Sequence, residues 1–420
     1  MGLEADYDYT PRMYQRIVFA SAQAISFEDA SEVLAKLGDL KLLSKRVWRA
    51  AKRIGEEGVE ERRAAAEKYL KLPLPERCQS PQGQPVPRVA CVQMDGGRFQ
   101  ERERRTGKPT GSETSAEKKE PEQDSRSEGC WREYKAGVLL SMASQTHAED
   151  PCPELPATFA DPGKMREIAR EIKGFTTSDT PLSIPAEELG PADFKKRPGR
   201  PEVLVKSVVA TSGDVERFGP QLASAAYERG FHAAQRKAFV ADGSSTNWGV
   251  WSKYFSHYTP ILDFVHALMY VYAGAMAGRS TNEGWSQYRQ WAQWLWNGKV
   301  DLLLEALETR QQELGFPDKH ETGTPRAQVA TSLGYLTNQR QRMKYDLYRK
   351  RGLPLTSSAI ESTIKQINRR IKGTEKFWSQ GSDPMLNLVA DRLSQTKVTD
   401  DFWTRRVNRL IASASYQQAA

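Results

Sequence analysis

The sequence has little of what a disulfide-bonded, zinc-binding or triad-type hydrolytic protein needs. Only four of its 420 residues are cysteines, no two of them form a Cys-x-x-Cys pair, and no histidine lies at zinc-finger spacing. Neither a disulfide framework nor a zinc module is therefore predicted, and a reducing compartment fits best. The five histidines form no recognisable Ser/His or Cys/His pairing, which disfavours a metal-independent hydrolase.

A secretory leader and a long apolar run are also missing. Residues 1–8 carry acidic side chains where a leader would have a basic start and an apolar run. The most apolar stretch, residues 261–278, holds Asp263 and His266 near its start and is barely long enough to span a bilayer. We therefore expect a buried helix there, no membrane partner, and a cytoplasmic location.

What the sequence does have is length and positive charge. At 420 residues it exceeds the usual size of a single core, so we expect two or three domains, with room for one of them to be discontinuous in sequence. The formal net charge of +8 suits a polyanionic partner, although many proteins that never touch nucleic acid are equally basic.

A pair of helices joined by a short break is the first clear pattern. Residues 26–58 read SFEDASEVLAKLGDLKLLSKRVWRAAKRIGEEG, with a Ser-x-x-Asp cap signal, an apolar stripe, a glycine break and a second helix from about Ser44. The pattern resembles a helix-turn-helix, and we assign residues 1–75 to an N-terminal helical DNA-binding domain. A solvated amphipathic helix is the alternative. The basic residues of the second helix are Lys45, Arg46, Arg49, Lys52 and Arg53.

A Pro-rich segment at residues 71–87, KLPLPERCQSPQGQPVP, indicates an extended linker, so a new domain is placed from residue 86. Residues 88–93 have the composition of a strand that leads to Asp95-Gly96-Gly97. We interpret Asp-Gly-Gly as a turn into a short partner strand at residues 98–100. The sequence thus predicts a hairpin directly after the aspartate.

Two long segments predict loops, and the apolar runs around them predict the rest of a sheet. Residues 101–128 are charged and almost devoid of apolar side chains, which predicts a flexible loop, and residues 151–201 have an irregular pattern. A helix at residues 219–230 is closed by a glycine. Together these elements form the first part, residues 86–262, of an α/β domain. Further strands are predicted at 134–142, 204–210, 237–241 and 258–262.

The second half of the chain is predicted to be helical. Residues 263–345 predict an inserted all-α domain whose dense tryptophans, Trp285, Trp291, Trp294 and Trp296, form its core. Residues 346–396 return to helices that pack on the sheet, and residues 397–420 form a C-terminal helix or tail. The predicted fold class is α/β plus α, a mixed sheet with helices that an all-α insertion interrupts and a helical domain precedes.

Three acidic residues stand where they could carry phosphoryl-transfer chemistry. Asp95 and Asp242 each follow a strand and precede glycine, and Glu361 lies in the helical run SSAIESTIKQINRRIKG. Carboxylates from separate elements can hold two divalent cations, and Mg²⁺ prefers such oxygen ligands. The plainer alternatives are turn-capping aspartates before glycine, and an exposed glutamate paired with Lys365.

Five motifs carry a resemblance to a known family: VACVQMDGGRFQ around Asp95, CWREYKAGVLL around Glu133, KAFVADGSSTNWGVW around Asp242, DFVHAL around His266, and GLPLTSSAIESTIKQINRRIKGTEKFW around Glu361. They are spread over most of the chain, which resembles the ribonuclease-H-like DDE transposases of bacterial insertion sequences, particularly the Kra type. The resemblance implies a catalytic and metal-binding triad of Asp95, Asp242 and Glu361 with two Mg²⁺ or Mn²⁺ ions, and DNA strand cleavage and transfer.

Further residues are candidates for DNA contact. The Asp263-x-x-His266 element resembles one found in related transposases, which implies a place for His266 near DNA, whereas a helix cap with a buried histidine is the alternative. Trp248 and Trp251 could stack on an unpaired base or simply pack in the core. A basic series after Glu361 could line a phosphate path or form a solvated face: Lys365, Arg369, Arg370 and Lys372.

The expected function is that of an insertion-sequence transposase in the bacterial cytoplasm, associated with the nucleoid. Its DNA partners would be terminal inverted repeats and target DNA, and the need to handle two DNA ends implies a homodimer or larger complex. Two alternatives keep the same residues. One is a catalytically inactive, transposase-derived DNA-binding protein, and the other is a ribonuclease-H-like nuclease that hydrolyses nucleic acid without strand transfer.

Overall fold

A computed structural model describes residues 9–101, 130–170, 172, 198–373, 376–378 and 381–419. The predicted polar loop, apart from Glu101, and most of the second half of the predicted irregular segment lie outside the described residues. Within the described part, no helix is both long and apolar enough to cross a membrane.

One mixed sheet forms the centre of the molecule. Its strand order is β3-β2-β1-β4-β5, in which β1 to β3 are antiparallel neighbours and β4 and β5 continue parallel to β1. The two-residue β6 pairs with the far end of β1. The strands are β1 (Val89–Glu101), β2 (Cys130–Ala143), β3 (Glu202–Thr211), β4 (Arg236–Ala241), β5 (Thr259–Leu262) and β6 (Phe377–Trp378).

The predicted hairpin at Asp95-Gly96-Gly97 is wrong, because β1 runs straight through these residues and pairs with β2 along its whole length. The two glycines instead leave room for side chains of the neighbouring strand β2. A Cβ atom on Gly97 would lie 2.2 Å from the ring of Tyr134, and one on Gly96 would lie 2.6 Å from Glu133 Oε1. Side chains of β2 therefore occupy the space over β1 that any larger residue would need.

The predicted helix pair at the N-terminus is present. The Ser26 hydroxyl accepts from the Asp29 backbone N–H and the Asp29 carboxylate accepts from Ser26, so the expected cap is confirmed. A preceding helix, which begins after Thr10 with a proline at its first position, was not predicted. The helices are α1 (Pro11–Gln23), α2 (Phe27–Gly38), α3 (Ser44–Lys71) and the single-turn α4 (Leu74–Arg77).

These N-terminal helices share one hydrophobic core with the sheet. The middle of α3 crosses a later helix so closely that a Cβ on Gly55 would lie 2.7 Å from Pro384, and one on Gly58 would lie 2.7 Å from Asn387. The first half of α3 carries the predicted DNA-binding residues.

The segment after β2 was predicted to be irregular, and its described part is not. It contains a 3₁₀ turn at Ala157–Phe159 and the helix α5 (Pro162–Ala169). Phe159 packs on Phe264 and Trp296, with ring centroids 5.0 and 6.1 Å apart. This stretch therefore belongs to the core of the helical domain that follows much later in the sequence.

The remaining helices cover the sheet and build the predicted helical insertion, in which Trp291 and Trp296 are buried as expected. On the sheet lie α6 (Val215–Glu228) and α7 (Ser245–Tyr254). The insertion comprises α8 (Phe264–Met276), α9 (Thr281–Trp296), α10 (Val300–Leu314), α11 (Pro325–Gln339) and α12 (Tyr345–Lys350). The chain then returns to the sheet with α13 (Ser358–Ile371), α14 (Ser382–Leu393) and α15 (Val398–Ala419).

Candidate active site

Two of the three predicted acidic residues, Asp95 and Asp242, lie close together where β4 ends beside the middle of β1. The parallel pairing of β1 and β4 places Val240 opposite Gln93, and two residues further along each chain come Asp242 and Asp95. Because side chains alternate along a strand, both aspartates point to the same face as that pair. The register of two central strands therefore sets their spacing.

The third acidic residue, Glu361, comes from the first turn of α13, and a buried glutamine ties that turn to β1. The Gln93 side chain, 2% exposed, donates to the Thr356 carbonyl oxygen at 3.0 Å and accepts from the Ile360 backbone N–H at 3.1 Å. The strand that carries Asp95 thus holds the helix that carries Glu361. Sequence reasoning missed Gln93, although a lone polar residue within the apolar run VACVQM was a signal.

The acidic side chains influence one another. Burial raises the pKa of Asp95 to about 6; the backbone N–H of Gly96 and the charge of His266 oppose the shift, and the negative charges of Asp242 and Glu361 add to it. Across the described ranges, no lysine or arginine is ion-paired with any of the three carboxylates. The three carboxylates therefore concentrate negative charge, and among the described residues His266 is the basic side chain that opposes it.

Asp242 is held at the start of α7 by two hydrogen bonds. The backbone N–H of Ser244 donates to its Oδ1 at 2.9 Å, and the Asn247 side chain donates to the same oxygen at 2.7 Å. The turn-capping role considered from the sequence is thus realised. Since both bonds go to Oδ1, the other oxygen keeps its lone pairs for a further partner.

The helical insertion forms a wall beside Asp242. A Cβ on Gly243 would lie 2.3 Å from the ring of Tyr335, and Gln339 donates to the Gly243 carbonyl oxygen at 3.3 Å. Tyr335 in turn stacks on Tyr270 of α8, with centroids 3.6 Å apart and planes 13° from parallel. Glycine after Asp242 is therefore required by this close approach of α11.

Asp263 joins the helical insertion to α13. It is fully buried, begins α8 as its N-cap, and accepts from the His266 backbone N–H at 2.8 Å and its Nδ1 at 3.1 Å. It also accepts from the Ser357 hydroxyl at 2.8 Å and from the Ser357 backbone N–H. Burial favours the neutral acid, but the bonds and charge from His266 and the Ser357 N–H outweigh it and lower the pKa of Asp263.

His266 lies beside the carboxylates and is partly exposed. Burial opposes its protonation, yet the hydrogen bond and charge of Asp263, with the charges of Asp242 and Glu361, raise the pKa of His266 to about 9. The hydrogen bond from His266 to Asp263 therefore favours the imidazolium form. The two interpretations of Asp263-x-x-His266 are therefore compatible. Asp263 caps α8, and the first turn of that helix places His266 beside the acidic residues.

The chemistry of the donors suits a hard divalent cation. Within the described part of the chain, one set of potential ligand atoms lies within 4.8 Å of one another, and it comprises Asp263, His266 and Glu361. Both oxygens of Asp263 already accept hydrogen bonds, so this residue is a support. Asp95 and Asp242 lie outside that tightest set but face the same region, and three carboxylates are the oxygen donors that Mg²⁺ or Mn²⁺ prefers.

The two tryptophans that follow Asp242 are placed as packing residues. Trp248 is only 7% exposed, and the Arg342 guanidinium lies 4.1 Å from its ring centroid. Trp251 donates its ring N–H to the Tyr258 carbonyl oxygen at 3.0 Å and is half-buried. This placement favours the core-packing alternative over base stacking for both residues.

The basic series of α13 divides into a buried and an exposed part. Arg370 is 5% exposed, donates to the Ser21 carbonyl oxygen at 2.9 Å and lies 4.3 Å from the Phe27 ring centroid. It fastens α13 to the N-terminal helices, so its predicted place on a phosphate path is wrong. The exposed members are Lys365, Arg369 and Lys372.

The basic residues of α3 are arranged in a similar way. Lys45, Arg46 and Arg49 are exposed at its N-terminal end. Lys52 is half-buried, pairs with Glu56 at 3.4 Å and lies 5.8 Å from the Trp48 ring centroid, while Arg53 is also half-buried. A surface for a polyanion would therefore centre on the first turns of this helix.

A comparison with protein-family models finds no match for this chain, and a comparison with curated proteins finds no significant match.

Proposed function

We propose that the chain is a metal-dependent DDE transposase that cuts DNA and joins it to a target. The observation that carries the proposal is the convergence of Asp95, Asp242 and Glu361, from two adjacent strands and one helix, on the region where β4 ends beside the middle of β1. The strand order β3-β2-β1-β4-β5, with three antiparallel strands followed by two parallel ones, supports a ribonuclease-H-like catalytic domain. A helical insertion between Asp242 and Glu361 supports the same proposal.

The proposed roles follow from the way each side chain is held. Asp95, Asp242 and Glu361 would bind the divalent cations, which when bound stabilise charge on the attacking and leaving oxygens. The sheet register fixes the two aspartates, and Gln93 and Ser357 fix the turn before Glu361. His266 puts a positive charge where an anionic phosphate would approach the acidic residues.

DNA is the proposed partner, because exposed basic residues lie on two helices, α3 and α13. Lys45, Arg46 and Arg49 on α3 would contact the terminal inverted repeats, and Lys365 and Arg369 on α13 would contact backbone close to the reacting phosphate. Strand transfer needs two DNA ends in one complex, so a homodimer or larger assembly is proposed.

The decisive experiment is cleavage and joining of labelled DNA that carries the element's own ends, with Mg²⁺ or Mn²⁺. We expect metal-dependent joined products from the wild type and from Asp318→Asn, and none from Asp242→Asn. Asp318 is the matched control because it is an exposed aspartate in the loop before α11, and its carboxylate pairs with Arg326.

Two outcomes would replace the proposal by one of its alternatives. Cleavage without joining in the wild type would indicate a nuclease that hydrolyses without strand transfer. Specific DNA binding with no activity in any of the three proteins would indicate a DNA-binding descendant that has lost the chemistry.

A further inference from the structure

Trp131 is unlike the other tryptophans of the chain. All ten are among the described residues, and Trp131 alone is more than half exposed, at 53%. It is the second residue of β2, where the β1–β2 ladder projects past Asp95. This ring adds little to the core, and its exposed surface is accessible to a flat ligand.

A lysine is already placed against this ring. Lys372, the residue that follows α13, has its Nζ 5.5 Å from the Trp131 ring centroid. The bond from the Tyr134 hydroxyl to Asn368, at 2.9 Å, holds α13 against β2 one turn before Lys372. The ring and the ammonium group are therefore kept together by the packing of two regular elements.

The same helix links this pair to the acidic residues. Glu361, Lys365, Arg369 and Lys372 are three or four residues apart, so they form one stripe along α13. Ile360, Thr363 and Ile367 form its buried side, which leaves the stripe accessible. At 1.5 Å of rise per residue, Lys372 lies about 16 Å along the helix from Glu361. That is roughly the length of five stacked nucleotides.

We propose that Trp131 and Lys372 form a binding subsite for one unpaired nucleotide of DNA, about five positions from the reacting phosphate. The base stacks on the exposed indole, and Lys372 contacts the phosphate of the same nucleotide. This inference rests on the proposed function, because it assumes that DNA lies along α13 with its reacting phosphate near Glu361.

An unpaired base fits these groups better than duplex DNA does. Stacking on an indole requires a base whose face is not already covered by its neighbour, and every base has such a face, so the contact would be tolerant of sequence. Contact with a duplex backbone would need only the lysine and would leave the exposed tryptophan without a purpose.

The test is the affinity for fluorescently labelled DNA in a chelator, so that no reaction occurs. Two DNA molecules are compared, one fully duplex and one whose strand beyond the cleavage position is single-stranded. We expect Trp131→Ala to weaken binding of the partly single-stranded DNA about tenfold and to leave duplex binding unchanged. Trp131→Phe should restore most of the loss, because it keeps an aromatic face.

Phe316→Ala is the matched control, since Phe316 is an aromatic residue 72% exposed on the helical insertion, and it should bind both DNAs as the wild type does. Equal affinity of Trp131→Ala and wild type for the partly single-stranded DNA would overturn the inference, as would an equal loss on both DNAs. Either result leaves the proposed function intact. Failure of the wild type to bind either DNA would instead overturn the proposed function, and the inference with it.

Discussion

At the scale of single residues, the site depends on polar groups that never face solvent. Gln93 and Asp263 approach the first turn of α13 from the sheet and from α8, and both bond to the residues just before Glu361. Buried polar groups of this kind are expensive unless every bond is made. We infer that they are present to fix the position of Glu361.

Replacing Gln93 by leucine tests that inference. The change keeps the side-chain size but leaves the Thr356 carbonyl without its donor, and the Ile360 N–H keeps only its bond to the Ser357 carbonyl oxygen. The loss should lower the free energy of unfolding by about 1 to 3 kcal/mol. Because Glu361 loses its support, we expect the Mg²⁺ concentration for half-maximal activity to rise severalfold. Titration of joining activity with Mg²⁺ measures this.

Gln311→Leu is the control for that measurement. Gln311 is equally buried and also bonds to backbone carbonyls, at Gly315 and Arg326, but it lies in the helical insertion. The Gln311→Leu variant should have a lower free energy of unfolding but the same Mg²⁺ concentration for half-maximal activity as the wild type. If both variants shift the dependence alike, Gln93 has only a general structural role.

At the scale of elements, the sequence predicted well what depends on local patterns. The helix cap at Ser26, the strand before Asp242 and the glycine that closes α6 follow from a few neighbouring residues, and all are present. The predicted turn after Asp95 is wrong because Asp-Gly-Gly is a local turn signal. Glycine is needed at position 97 for another reason, which is the contact with the Tyr134 ring on the neighbouring strand. Burial of Trp248 and Arg370 was likewise decided by distant residues.

The glycine in β1 gives a prediction at this scale. Gly97→Ala should lower the free energy of unfolding by roughly 1 to 3 kcal/mol, because its methyl group would displace the Tyr134 ring. Gly249→Ala, in the exposed middle of α7 with no neighbour within 4 Å of the added carbon, should instead stabilise by up to about 1 kcal/mol. Denaturant unfolding of both variants measures the difference, and equal effects would contradict the cross-strand explanation.

At the scale of the whole molecule, segments distant in sequence complete each other's cores. The stretch around Phe159 and α5 packs into the helical insertion, and the Tyr288 hydroxyl donates to the Phe159 carbonyl at 2.7 Å. Asp150 forms an ion pair with Arg349, whose guanidinium lies 3.8 Å from the Trp296 ring centroid. A domain boundary drawn at residue 263 therefore cuts through a single hydrophobic core.

This division of the core can be tested with fragments. Residues 263–350 alone should lack cooperative thermal unfolding, since the faces of Phe264 and Trp296 that Phe159 covers would be exposed. Addition of residues 144–170 through a flexible linker should restore a cooperative transition. Circular dichroism during heating measures the transition of both fragments. A cooperative transition in the shorter fragment would show that the insertion is an independent domain.

The tie between Gln93 and the turn before Glu361 also has a consequence for the timing of synthesis. Asp95 and Asp242 leave the ribosome long before Glu361. The hydrogen bonds from Gln93 and Asp263 to the start of α13 can form only after that helix has been made. If the protein cuts DNA as proposed, an unfinished chain already holds its basic N-terminal helices but no complete active centre. The host chromosome is then protected from partly synthesised enzyme by the order of the sequence itself.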